Sequence, residues 1–374
     1  MQFELPAGAL ARAVGMVKGC VPSKTTLPVL SHVHLEARVT DAGNGEFAVR
    51  ASNLVMDAEA IVPAEVTRPG AAALPGDVLL GLAKLLGKQD TAKFAGDGQR
   101  FALQAGRSRY QISGMDPADF PLLNRPADGV RFKVDAKALG ELIDCTRYAA
   151  STEETRFYLN GVFLAREEGR LVAVATDGQR LAKRTMPLPP GAEGLEGSII
   201  PNAALREIHN LLAASEGDVE ISVNKSRIAI HAGGLSFGTA LIAGQFPDYN
   251  RVIPRDLDRK LTVRPAALAE AVQRASVVFA GSDEKWPAVH IIAGANGIDL
   301  KARAADREAI EDVEADVHER GAEFKCQAKY LSEMLARWPE TAELNIAYDG
   351  GGSPVVFTSE AAADQLHLIM QMRK

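Results

Sequence analysis

The chain has 374 residues, 47% of them hydrophobic and 24% charged. That length exceeds one ordinary core and fits two or three domains of about 100–200 residues, and the composition argues against disorder and coiled coil. Lysine and arginine number 42 against 48 acidic residues, a net charge of −6, so attraction to nucleic acid would have to come from a local basic surface. Apolar stretches such as Val78 to Leu82 and Leu368 to Met370 fall far short of the roughly 20 residues that span a bilayer, so no membrane partner is expected. The start, MQFELPAGALARAVG, carries Glu4 and no basic region before an apolar run, which argues against a secretory signal and for a cytoplasmic address. Cys20, Cys145 and Cys326 are odd in number and far apart, so they are expected to be buried or idle thiols, with no disulfide framework and no metal site.

In chain order, the first predicted element is a short alternating strand, Phe3-Glu4-Leu5, that runs through Pro6-Ala7-Gly8-Ala9-Leu10 into a helix. Apolar positions at Leu10, Ala13 and Val14 give that helix its buried face. His32 and His34 lie two apart on a predicted strand, a spacing that could hold a metal if other ligands joined them; with no such cluster visible, an ordinary sheet surface is the expectation. Strand alternation follows at Phe47 to Val49, then a helical pattern at Leu79, Leu82 and Leu86. Gly96-Asp97-Gly98-Gln99 reads as a hairpin turn. A Phe120-Pro121 pair precedes a polar, proline-bearing linker from Asn124 to Val130.

The pattern then begins again. Phe132-Lys133-Val134-Asp135-Ala136-Lys137-Ala138-Leu139 repeats the opening strand and helix, with Leu139, Leu142 and Ile143 as its apolar face, and Leu261-Thr262-Val263-Arg264-Pro265-Ala266-Ala267-Leu268 repeats it once more, with Leu268, Ala271 and Val272. The three copies start at 3, 132 and 261, a constant interval of 129 residues. The second helical pattern also recurs, at Leu205, Ile208 and Leu212 and at Leu331, Met334 and Trp338. Strand alternation at Leu171 to Val174, Val219 to Val223, Ile228 to Ile230, Glu343 to Ala347 and Val355 to Phe357 fills the remainder. Asp177-Gly178 reads as a turn, with glycine relieving a positive φ. A second Phe-Pro pair, Phe246-Pro247, precedes a second linker from Val252 to Lys260. The expected fold is therefore α+β, three repeats of one domain at 1–125, 129–254 and 260–374, each with two helices and antiparallel sheets. Such modules could form a bead string, or a curved array that closes as a ring if one interface is repeated.

No catalytic signature fits the chain. The chain has no GxxxxGK[ST], HExxH, GxSxG or strand-linked GxGxxG pattern, and nothing fixes Asp177 and Asp248 as a carboxylate pair. A ring-shaped scaffold, a monomeric peptide-binding scaffold and a metal-dependent nuclease stay open at this point. No cofactor is implied.

Five segments carry a resemblance: Thr26-Leu27-Pro28-Val29-Leu30, Arg156-Phe157-Tyr158-Leu159-Asn160-Gly161, Ala175-Thr176-Asp177-Gly178-Gln179-Arg180-Leu181, Phe246-Pro247-Asp248-Tyr249 and Met370-Gln371-Met372-Arg373. In this order they resemble the beta sliding clamps of bacterial DNA polymerase III, over the whole chain. The resemblance implies two subunits joined head to tail into a ring that encircles duplex DNA without reading sequence, tethers the replicative polymerase alpha subunit and catalyses nothing. It further implies a clamp-loader complex, and other polymerases and repair proteins that carry short clamp-binding motifs, as partners. Carried over residue by residue, the peptide pocket comprises Leu159, Thr176, Gly178, Gln179, Arg180, Leu181, Pro247, Arg251, Val252, Leu368, Met370, Met372 and Arg373. Lys24, Phe157 and Tyr158 fall where the family touches DNA, and Arg12, Arg147, Arg206 and Arg274 are helix-borne candidates for phosphate contact; Lys18 on the first helices of the repeat, and Lys84, Lys88, Lys329 and Arg337 on the second, are further basic positions. The subunit interface is expected at Tyr110 and Ile112, on an edge strand of the first domain, and at Val277 and Val278 of the third. Thr152, Glu153 and Asn202 depart from the family's DNA-facing pattern, and Gln371 and Lys374 depart from its usual proline and apolar end.

Overall fold

A computed structural model describes residues 1–86, 91–97, 99–121, 126, 128–254, 257–319, 321–349 and 352–372. Lys88, Gly98, Asn124, Arg373 and Lys374, all named above, lie outside the described residues. Among those described are helices α1 (Ala7–Val17), α2 (Gly76–Leu85), α3 (Ala136–Thr146), α4 (Asn202–Ala213), α5 (Pro265–Ala275) and α6 (Ala328–Leu335), two in each copy of the repeat. The helices α1, α3 and α5 each follow the strand that the repeat predicted: Gln2–Pro6, Val130–Asp135 and Arg259–Val263. Burial follows the 3.6-residue period. In α1 the buried face is Leu10, Ala13, Val14 and Val17, and in α5 it is Leu268, Ala271, Val272 and Ala275. Pro265 opens α5 at the first turn, where a missing N–H leaves no helical bond unmade.

Three expectations need correction, two of them at element ends. Leu86 and Trp338 lie beyond α2 and α6; Leu86 is already extended (φ −65°, ψ 138°), and Trp338 is buried in the core past the helix end, just before Pro339. The predicted linkers run too far, because Val130 pairs with Val223, and Arg259 and Lys260 pair with Tyr348 and Ala347, so these residues are strand. His34 is not on an open sheet surface: it is 6% exposed, with Phe120 packed 5.6 Å from its ring. The first Phe-Pro pair thus folds back onto the sheet, and burial, together with the Arg50 charge, lowers the pKa of His34. His32 bonds locally, to Ser31 and to the carbonyl of Pro28. All three cysteines are buried, as expected.

The chain forms two compact units. The first holds Met1–Gly140, Pro189–Leu195 and Ala203–Leu241. It contains a five-stranded antiparallel sheet in the order Glu65–Arg68, Gln2–Pro6, Thr91–Asp97, Arg100–Ala105, Ser108–Ser113. Beside it is an eight-stranded sheet in the order Val130–Asp135, Asp218–Val223, Arg227–Ala232, Leu235–Ala240, Met56–Pro63, Gly45–Ser52, His32–Val39, Gly70–Pro75. Phe3 stacks on Phe47 and on Phe94, at 4.8 Å from each, so the opening strand of the repeat is anchored in this core.

The second unit holds Glu141–Leu188, Glu196–Asn202 and Ile242–Lys374. Its twelve strands run in the order Ser198–Pro201, Gly161–Glu167, Arg170–Thr176, Arg180–Pro187, Gln365–Ile369, Val355–Thr358, Leu344–Tyr348, Arg259–Val263, Arg307–Val317, Gly297–Ala304, Ala288–Ala293, Glu323–Gln327. One seam recurs inside both units. In the first, the last strand of the middle copy pairs with a strand of the first copy (Leu235 opposite Ala60, Thr239 opposite Met56). In the second, the last strand of the third copy pairs with the corresponding strand of the middle copy (Arg180 opposite Ile369, Arg184 opposite Gln365). Backbone hydrogen bonds thus run across copy boundaries, and the middle copy contributes to both units.

Candidate functional site

The expected pocket residues converge in the second unit, around one tight turn. Strands Arg170–Thr176 and Arg180–Pro187 pair up to Thr176 opposite Leu181, leaving Asp177 to Gln179 to reverse the chain. The Thr176 hydroxyl donates to the Arg180 carbonyl at 2.6 Å and accepts from the Gly178 N–H at 3.1 Å, while Asp177 Oδ1 accepts from the N–H groups of Gln179 and Arg180. Gly178 has φ +87°, a backbone conformation that calls for glycine.

Leu159, Leu181 and Leu368 lie in one buried cluster with Val172, Val174, Phe246 and Tyr249. Phe246 stacks on Phe163 at 4.7 Å, which explains the second Phe-Pro pair: its ring is core, while Pro247 is exposed. The short 3₁₀ helix Tyr249–Val252 follows, with Arg251 exposed and bonded to Asp248 at 3.1 Å, and Val252 51% exposed. From the other side, the Met370 N–H donates to the Gln179 carbonyl at 2.8 Å and the Met372 N–H to the Lys325 carbonyl at 2.8 Å. Met370 is 37% exposed. An apolar floor with accessible methionine, valine and proline beside it suits capture of apolar side chains from a peptide, with arginine for polar contacts.

Arg180 is placed differently from its neighbours. It is 9% exposed, and its guanidinium carbon lies 4.3 Å from the centre of the Tyr330 ring and 5.1 Å from that of Tyr148. It donates to Asp177 at 3.0 Å and pairs with Glu333. Behind it, the Tyr148 hydroxyl is 2.8 Å from His367 Nδ1, and the Cys145 thiol donates to Gln365 Oε1 at 3.0 Å. His367 is fully buried with Trp338 edge-on at 5.1 Å, and burial, with the charges of Arg337 and Arg184, pushes its pKa down to about 3. Burial likewise pushes the Cys145 thiol up to about 12 and raises Tyr148. This polar layer of Tyr148, Tyr330, Glu333 and His367 escaped the sequence reading. Tyr330 and Glu333 share a helix with Leu331 and Met334, but nothing in the 3.6 period says that they face an arginine some 150 positions earlier.

The expected DNA-facing residues divide by environment. Arg12, Lys24 and Arg206 are exposed and ion-paired to no described residue. Arg147 is paired with Asp144 at 2.8 Å, and Arg274 with Glu311 at 2.7 Å and Glu270 at 3.6 Å. Phe157 is 51% exposed, with Tyr158 edge-on at 5.8 Å. Of the expected interface residues, Tyr110 and Ile112 lie on Ser108–Ser113, which is an edge strand; Ile112 is 6% exposed and Tyr110 half-buried. Val277 is 68% exposed, while Val278 packs against the core of the third copy.

A thrice-repeated strand–helix module, joined edge to edge by a recurring seam, defines a modular α+β protein rather than a single-core one. Family models match the chain end to end: the DNA polymerase III beta subunit N-terminal domain over residues 1–124, its central domain over 133–248 and its C-terminal domain over 250–373. The beta sliding clamp of Caulobacter vibrioides is 34% identical over 344 residues, 90% of each chain, and that of Escherichia coli is 26% identical over the full length of both. A crystal structure of the Caulobacter crescentus beta sliding clamp superposes with a TM-score of 0.92 at 32% identity, covering 100% of this chain and 99% of that one. A Pseudomonas aeruginosa sliding clamp, described as bound to griselimycin, gives 0.93 at 27% identity, covering both chains in full. The chain belongs to the DNA polymerase III beta subunit family, the bacterial beta sliding clamps.

Proposed function

We propose that two copies of this chain close head to tail into a ring around duplex DNA and tether the replicative polymerase to it, without catalysing a reaction. The observation that carries the proposal is the recurring seam. The last strands of the second and third copies each pair with an outer strand of the preceding copy, at Leu235–Ala240 with Met56–Pro63 and at Gln365–Ile369 with Arg180–Pro187. One such pairing is left over: Ser108–Ser113, the last strand of the first copy, and Arg307–Val317 of the third, whose first half pairs on one side only, with Gly297–Ala304. An unpaired edge invites another chain, and a head-to-tail contact that closes after two copies makes a ring. Charge supports the match, since Arg107 and Arg109 are exposed at one edge and Glu308 and Asp312 at the other. Ile310, 57% exposed on the second edge, joins the accessible Tyr110 and Val277 in the proposed interface, with the inward-packed Ile112 and Val278 supporting the two edges from behind.

The domain limits that go with this reading are 1–125, 129–254 and 260–374; the three matched segments support the count of three, and they start the third domain at 250. The groove built from Leu159, the Thr176–Leu181 turn, Pro247, Arg251, Val252, Leu368, Met370 and Met372 takes the short motifs of the polymerase, the clamp loader and repair proteins, and it takes griselimycin as well; Arg373, also expected there, lies outside the described residues. Arg12, Lys24, Phe157, Tyr158 and Arg206 face DNA. Arg147 and Arg274 contribute less, their charge being partly neutralised by nearby acids. Contacts must be weak and sequence-independent for the ring to slide, and topology supplies retention. The protein acts in the cytoplasm, and loading onto DNA calls for a separate ATP-driven machine. A metal-dependent nuclease has no support among the relatives, which are beta sliding clamps.

The test is retention on circular against linear duplex DNA at raised salt, after loading by a clamp loader and ATP. Retention on circles with loss from linear ends is expected. Equal loss from both would leave only surface binding, because counterion-driven contact weakens alike on either form, and would overturn the ring.

A further inference from the structure

We infer that Gln371 is a positioning residue of the groove: its side-chain amide fastens the carboxy-terminal segment, so that Met370 and Met372 are already in place when a ligand arrives. The inference rests on the groove reading above. Past Ile369 the segment has left its strand. The Met370 N–H reaches Gln179, in the turn, and the Met372 N–H reaches Lys325, in strand Glu323–Gln327. Between them, Gln371 Nε2 donates to two backbone carbonyls, Asp349 at 3.0 Å and Ser353 at 2.8 Å, in the connection between strands Leu344–Tyr348 and Val355–Thr358. Three consecutive residues are thereby tied to three separate elements.

A carboxamide NH₂ has two donors, and here each meets one carbonyl. No other neutral side chain of this size does the same: glutamate is nearly isosteric but offers only acceptors at neutral pH. Without the clasp, the segment would have to be ordered at the moment of binding, and only the fraction of molecules with an ordered segment could accept a ligand. A proline could supply stiffness by another route, fixing φ near −65°. The Gln371 N–H donates to no described residue, so the ring would remove no bond among them.

The experiment uses the full-length protein with griselimycin as probe, followed by surface plasmon resonance, alongside amide hydrogen exchange of the free protein. Gln371→Glu and Gln371→Ala are expected to bind about tenfold more weakly, the scale of one net hydrogen bond. The loss should fall on the association rate with dissociation unchanged, as a smaller competent population requires. The melting midpoint should not move, exchange at Met370 and Met372 should quicken, and Gln371→Pro should restore most of the affinity. Wild-type affinity in Gln371→Glu, or a loss carried wholly by dissociation, would overturn the positioning role alone. Failure of the unaltered protein to bind griselimycin would overturn the groove reading, and the positioning role with it.

Discussion

At the scale of single residues, His367 shows how burial decides chemistry. Its pKa in the fold, near 3, lies well below the unfolded value of about 6.5. The unfolded chain therefore binds more protons than the folded one between those limits, and stability falls as the pH drops below about 6.5. His367→Leu removes that term. It also costs the Tyr148 bond, so the variant should be less stable at pH 7.5. The gap to the parent should narrow by about 2 kcal/mol at pH 5 in urea unfolding, the size of the linkage term over that interval. A gap that stays constant would mean that His367 does not titrate as the fold implies. Arg180 and Met370 call for different expectations. Arg180→Ala leaves Asp177 and Glu333 without their buried cation, so it should lower the melting midpoint as well as griselimycin affinity. Met370 is partly exposed; Met370→Ala should weaken griselimycin several-fold with the midpoint nearly unchanged, and unaltered affinity there would move the ligand away from the carboxy-terminal segment.

At the scale of elements, the edge strand Ser108–Ser113 carries two residues that look alike in sequence and differ in the fold. Ile112 points into the first core at 6% exposure, whereas Tyr110 is half-buried. Ile112→Asp would bury a carboxylate and unfold the domain, which makes it a poor probe of association. Tyr110→Asp combined with Val277→Asp, at accessible positions on the two expected sides, should give folded monomers in sedimentation velocity at micromolar concentration. A dimer that survives both would place the interface elsewhere. The strand–helix units themselves were plain from the 129-residue interval and the apolar spacing, because a helix packed on one face must repeat its apolar residues every three to four positions. Their ends were less legible. Strand pairing recruited Val130 and Lys260 from apparent linkers, and a change of backbone angle stopped α2 before Leu86.

At the scale of the whole molecule, the proposed closed dimer would join the two open edges by the seam already used inside each unit, and the circle-against-linear experiment tests that closure directly. Net charge does not drive it. At −6 the chain has no global attraction for DNA, so in the proposed ring the exposed Arg12, Lys24 and Arg206 would supply local contacts and closure would supply retention.

The sequence alone determined that the chain is one α+β module written three times, and the order of its motifs determined its resemblance to the sliding clamps. Both are local properties, carried by periodicity and by residues adjacent in the chain. Only the tertiary structure decided that Arg180 lies between Tyr148 and Tyr330, that Gln371 clasps the Asp349–Ser353 connection, and that Ile112 faces inward while Val277 faces out. These depend on contacts between residues tens to hundreds of positions apart, and neither spacing nor composition records which distant side chains the packing of strands and helices will bring together.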